Sequence, residues 1–130
     1  MSSTAEHIQE GFYTITPYLY GTLELLDFLK NAFGAEEVHR GVPDESGRLH
    51  AEVKIGDSHV LLGSGWFADP SMSAAIWIYV PDVDATCKRA VRAGATLLRQ
   101  PADQTWGDRV GGVKDPCGNT WWIATHKGRG

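Results

Sequence analysis

The stretch Asn31–Val38, NAFGAEEV, has a counterpart in the second half of the chain, Val91–Leu98, VRAGATLL. Each reads as a helix end, a glycine, an alanine and the start of a strand. What surrounds them repeats too. Before the first lies a helical apolar stripe, Leu25, Leu26, Phe28, Leu29 and Phe33, with Thr22 as N-cap and Gly34 as the stop. Before the second lies a helix capped by Asp82 or Asp84, reaching about Ala93 and ended by Gly94. After each comes a strand and then a hairpin, one turning at Gly56-Asp57 and the other at Asp115–Asn119. Repetition of this kind sets the architecture. The expected fold class is α+β, two βαβββ modules forming a curved mixed sheet around a cleft.

Working outward, the first module is expected over about 12–62. It has strands at Tyr13–Tyr20 (interrupted by Pro17), Glu36–Val42, Leu49–Ile55 and Ser58–Leu62. Residues 63–73 are a linker carrying Trp66 and Phe67. The second module covers about 74–126, with strands at Ala75–Val80, Thr96–Arg99, Arg109–Lys114 and Thr120–Ala124. A loop from Pro101 to Asp108 carries Trp106. One helix covers one face of each small sheet, so the other face needs a partner or a ligand.

The bulk properties agree with a single domain over residues 1–130. A net charge of −4 without any basic run argues against nucleic acid. Apolar runs of strand length argue against a membrane span. Met1–Glu10 lacks the charged and apolar regions of a signal peptide, so the cytoplasm is the expected compartment. Two cysteines, Cys87 and Cys117, form neither a disulfide framework nor a zinc spacing and read as reduced thiols.

Ile15-Thr16-Pro17-Tyr18-Leu19, FLKNAFGAEEV, HAEVKIGDS (His50–Ser58), VPDVDA (Val80–Ala85), RAGATLL, WGDR (Trp106–Arg109) and KDPCGNTWWIATH (Lys114–His126) together resemble the vicinal oxygen chelate superfamily. This is the glyoxalase/bleomycin resistance/dioxygenase group, and the PhnB-like branch is the nearest in flavour. The resemblance spans about residues 12–126. It implies paired βαβββ modules around a cleft, commonly in homodimers. In many members it also implies a divalent metal held by His or Gln, Glu, His and Glu on the first and last strands of each module. Aligned on the motifs, those positions fall on Pro17, Leu61, Ala75 and Trp122, none of them a metal ligand. A one-residue slip does not restore the set. The expected cofactor is therefore none, and metal-dependent glyoxalase or dioxygenase chemistry is disfavoured.

If those positions mark the inward face, alternation puts His59, Leu61, Ala75, Trp77, Tyr79 and Trp122 inward. Trp121 and Ile123 then point away, and Ile76, Ile78 and Val80 lie against a helix. His50, Glu52 and Lys54 also face the trough, because Ala51, Val53 and Ile55 suit the helix side. Trp106 and Trp66 are within reach of its rim. The expected ligand-binding set is His59, Leu61, Trp77, Tyr79, Trp106, Arg109 and Trp122, an aromatic-walled site with a few polar groups. Each Trp alone also reads as core or dimer interface. His50 and Glu52, on one strand face about 7 Å apart, read as a polar strand face, as a general acid–base pair, or as ligands of a displaced metal. Arg109 clamps an anionic group or salt-bridges Asp108 or Asp103. Two functions follow. One is a binder of a small, partly aromatic molecule, as in the resistance members of the family. The other is a metal-independent lyase or isomerase with His50 and Glu52 as its tentative catalytic residues and His59 as a further acid or base.

Overall fold

A computed structural model describes residues 6–41, 48–65 and 67–128. The element order is β1 (Tyr18–Tyr20), α1 (Leu23–Phe33), β2 (Glu36–Arg40), β3 (His50–Ile55), β4 (Ser58–Gly63), then β5 (Ala75–Tyr79), α2 (Val83–Arg92), β6 (Thr96–Asp103), β7 (Asp108–Lys114) and β8 (Thr120–His126). Two four-stranded mixed sheets result, in the orders β1-β4-β3-β2 and β5-β8-β7-β6. The two orders are the same pattern repeated, so the βαβββ repeat read from the sequence is the fold. It is built as two separate sheets rather than one continuous curved sheet.

Helix α1 starts where Thr22 accepts a hydrogen bond from Glu24 N and stops at Gly34, which takes the left-handed conformation at φ 68°. Helix α2 starts at Asp82, whose carboxylate accepts from Ala85 N. The two helices pack against each other, and the Arg89 guanidinium donates to the Ala32 carbonyl at 3.1 Å. One core joins both halves: Leu25, Phe28 and Leu29 of α1, Val53 and Leu62 of the first sheet, Val83 and Cys87 of α2, and Trp121 and Ile123 of the second sheet. Phe33 meets the Trp121 ring at 4.8 Å between centroids.

The turn Asp115–Asn119 ties the halves together. Asp115 Oδ1 accepts from Cys117 N and Asn119 N, and Oδ2 accepts from the Trp121 indole at 2.9 Å. Asn119, fully buried, donates to the Tyr20 carbonyl and accepts from Ala74 N. The sequence reading gave this segment a turn and no more.

Three boundaries differ from expectation by two residues or more among the described residues. β1 is only three residues long, because Pro17 has no N–H to add to a ladder; its carbonyl still accepts from Leu61 N. β6 runs through Pro101 to Asp103, past the predicted end at Arg99, with register shifts against β7 that absorb the proline. β8 extends to His126. The expected turn at Asp44–Gly47, the end of the second strand at Val42 and the rim residue Trp66 lie outside the described residues.

Candidate functional site

Strand alternation divides each sheet into a core face and an open face. On β8, Trp121 and Ile123 are in the core, while Trp122, Ala124 and His126 take the other side. On β5, Ile76 and Ile78 pack on the core, leaving Ala75, Trp77 and Tyr79 exposed. The parallel register sets Trp77 opposite Trp122 and Tyr79 opposite Ala124. Small residues let these rings lie down. A Cβ on Gly112 would collide with the Trp122 ring. The Tyr79 hydroxyl donates to Asp108 Oδ2 at 2.9 Å, so its ring spans β8, where Ala124 is fully buried on the open face. The Arg99 guanidinium stacks over Trp122, 5.4 Å from its centroid.

In the first sheet, Ala51, Val53 and Leu62 face the core, and His50, Glu52, His59 and Leu61 take the open face. Glu52 is 6% exposed. It pairs with His59, Nδ1 to Oε2 at 2.7 Å, rather than with His50. The Phe12 ring stacks on His59 at 4.6 Å. His50 Nδ1 instead meets the Tyr18 hydroxyl at 3.0 Å, and burial pushes that phenol's pKa up. The two candidate catalytic residues are thus on one face but in different pairs. The sequence signal for the Glu52–His59 pair is the tight turn at Gly56-Asp57, which brings the two strands into diagonal register.

Two clefts accompany these faces. One, about 600 Å³, lies between the halves and is lined by Tyr13, Pro17, Phe33, His59, Trp77 and Tyr79, among others. The second, about 810 Å³, lies on the first sheet beneath residues 7–14 and includes His50, Glu52, His59 and Leu61. Leu61 and Trp122, both expected on one trough, do not line the cleft between the halves.

Arg109 is engaged within its own chain. Its Nε and Nη2 donate to Asp84 at 2.8 and 3.1 Å, and Nη1 donates to Asp103 at 3.3 Å. These carboxylates push its pKa further up and Arg109 in turn lowers that of Asp84. Asp103 was among the anticipated partners; Asp84, on α2, was not. Trp106 is 45% exposed. Asp108, 2% exposed, also accepts from His126 Nδ1 at 2.7 Å. His126, itself exposed, has the largest effect in holding the Asp108 carboxyl below the usual range.

The strand register locates the metal positions that the family resemblance implies. Tyr18, not Pro17, pairs with Leu61 on the open face, because Leu19 and Leu62 are the pair in the core. By the same register Trp77, not Ala75, pairs with Trp122, so the positions are Tyr18, Leu61, Trp77 and Trp122. Leu and Trp donate nothing to a divalent ion and a single phenol does not hold one, so these residues do not fit it. Among the described residues no group of three or more His, Cys, Asp or Glu converges to hold a metal elsewhere. No helix among them is long and apolar enough to cross a membrane.

A model of the family described as Glyoxalase/Bleomycin resistance protein/Dioxygenase superfamily matches residues 24–123. An uncharacterised protein of Mycobacterium bovis is 39% identical over 108 residues, covering 74% of this chain and 70% of that protein. A Mycobacterium tuberculosis relative has the same identity, and there the chain spans only 63% of the relative's length. Among solved structures, TioX from Micromonospora sp. ML1 superimposes with a TM-score of 0.72 at 25% identity, covering 86% of this chain and 97% of TioX. TnmS3, an antibiotic binding protein from Streptomyces sp. CB03234, superimposes with a TM-score of 0.67 at 22% identity, covering 86% and 92%. At that identity the likeness to TnmS3 is one of fold.

Proposed function

This chain belongs to the glyoxalase/bleomycin resistance protein/dioxygenase superfamily, and from that premise we propose that it binds a small, partly aromatic molecule without a family-type metal, in the manner of a sequestering or resistance protein. The PhnB-like branch is the proposed placement, with residues 1–130 as one domain working in the cytoplasm. The observation that carries the reading is the register of Trp77 with Trp122, which sets two large rings and Tyr79 on one open sheet face. A soluble chain leaves such a surface uncovered when something is to bind there. Leu61, Trp77 and Trp122 at the family's metal positions favour apolar contact over coordination. An antibiotic binding protein with the same fold is consistent with this use of the scaffold.

The ligand wall is Trp77, Tyr79 and Trp122, with Trp106 at the rim and His59 and Leu61 on the first sheet. Leu61 lines the cleft on the first sheet and Trp122 lines neither of the two clefts, so a second copy of the chain is the proposed means of bringing them together, as a homodimer. Tryptophan fluorescence titrated with aromatic metabolites and antibiotics, followed by mass analysis of the recovered ligand, tests the reading. Saturable quenching with unmodified ligand supports it, and conversion of the ligand overturns it as a binder.

A second reading is favoured by one specific contact. The buried Glu52–His59 pair faces a cleft, and a carboxylate orienting an imidazole is the arrangement of a general base. In this metal-independent lyase or isomerase, His59 moves the proton and Glu52 positions it, with His50 and Tyr18 beside the substrate. His59→Asn should then reduce turnover about a hundredfold or more while binding survives.

A further inference from the structure

Resting on the binding role proposed above, the register of the second sheet goes further and gives the ligand's charge. Arg99 pairs with Gly112, Gly112 with Trp122, and Trp122 with Trp77, so these four form one row across β6, β7, β8 and β5. Directly paired residues share a face of the sheet. Here it is the open face, because Val113, Trp121 and Ile123 take the core. Gly112 leaves space for the Trp122 ring, and the Arg99 guanidinium lies over that ring, 5.4 Å from its centroid. Two residues along β7, Lys114 occupies the same face, opposite Thr120 of β8, and is exposed. The row therefore runs from a pair of cations to a pair of indoles.

The charge on this face is not balanced within the chain. Among the described residues, neither Arg99 nor Lys114 has a carboxylate partner. The two acidic residues on these strands are both taken. Asp108 is buried under the Tyr79 hydroxyl and His126, and Asp103 accepts from Arg109. A guanidinium stacked on an indole uses its flat face and keeps its N–H edge for a planar, bidentate acceptor. The stack also holds the side chain in place before a ligand arrives, so less conformational freedom is lost on binding. A ring laid along Trp122 and Trp77 brings a substituent at its edge toward Arg99. We propose that this row binds an aromatic carboxylate, its ring on Trp122 and Trp77 and its carboxylate on Arg99, with Lys114 adding a second positive charge beside it.

The probes are 2-naphthoate and its neutral isostere 2-naphthamide, titrated into the full chain by isothermal calorimetry at low salt. The carboxylate should bind at least about tenfold more tightly than the amide. Arg99→Gln should bring the carboxylate down to about the affinity of the amide and leave the amide within about threefold of its wild-type value. Lys114→Gln should weaken the carboxylate alone, and by less. Arg92→Gln removes a positive charge from α2 and should change neither affinity. Arg99, Lys114 and Arg92 are all exposed, and circular dichroism establishes that each variant is folded. Equal affinity of the wild type for acid and amide overturns the anion site while the aromatic-ligand reading stands. A preference for the acid that survives Arg99→Gln overturns it as well, since the carboxylate is then held elsewhere. Binding of neither compound overturns both the anion site and the aromatic wall of Trp122 and Trp77.

Discussion

Single residues carry more of this protein than their positions in the sequence suggest. Asp115 holds the Trp121 indole and two backbone N–H groups at once, all in or against the core. Leaving a buried donor unpaired costs about 1–3 kcal/mol, so Asp115→Ala should lower the unfolding free energy by at least about 2 kcal/mol in urea titration. Asp115→Asn, which keeps an acceptor oxygen, should lose less. At the open face, Trp77 and Trp122 are the residues on which ligand affinity should depend. Truncating a central aromatic anchor typically costs about 2 kcal/mol or more. Trp77→Ala and Trp122→Ala should therefore each weaken an aromatic ligand at least about tenfold. Unchanged affinity in both would remove the second sheet from the binding site.

At the scale of elements, the joins decide what each strand and helix can do. Glu37 on β2 accepts from Lys30 on α1 at 2.8 Å and from Arg40 on its own strand at 2.9 Å. Arg40 first and Lys30 second hold its carboxyl down to about 2, from an ordinary value of 4.5. A carboxyl with a lowered folded pKa contributes stability that is complete above its unfolded pKa and is lost as the pH falls toward the folded one. The pH window for Glu37 is therefore about 4.5 down to about 2. Thermal midpoints should fall across that window, and less steeply in Glu37→Gln. The second sheet offers a sharper test. A methyl group at Gly112 meets the Trp122 ring, so Gly112→Ala should displace that ring and its Arg99 partner. Ligand quenching should weaken about as much as in Trp122→Ala, with the far-ultraviolet circular dichroism unchanged.

For the whole molecule, the two open faces set the expectation. Each sheet is covered on one side by a helix and the common core, and Trp77, Tyr79 and Leu98 remain exposed on the second. A symmetric pair of chains offers the commonest way to cover such surface. Sedimentation at low micromolar concentration should give twice the 14.2 kDa chain mass, and a clean monomer would count against a shared cleft.

Much of this was legible in the chain itself. The matched NAFGAEEV and VRAGATLL segments carry the repeat, and α1 runs over the residues its apolar stripe marks, because a cap, a period and a left-handed glycine are local properties. Alternation, anchored on the positions that the family resemblance marks, put Trp122 on the open face and Trp121 on the other, which the structure shows to be the core. What the sequence left open depends on neighbours distant along the chain. His50 and Glu52 share a strand face, but which imidazole meets the carboxylate is decided by the antiparallel partner strand, and it is His59. Asp84 reaches Arg109 across 25 residues, and Tyr79 reaches Asp108 across 29. A period of two states which side of a sheet a residue occupies. Which charge or hydroxyl lies opposite it follows only from register and packing, and these exist only in the folded chain.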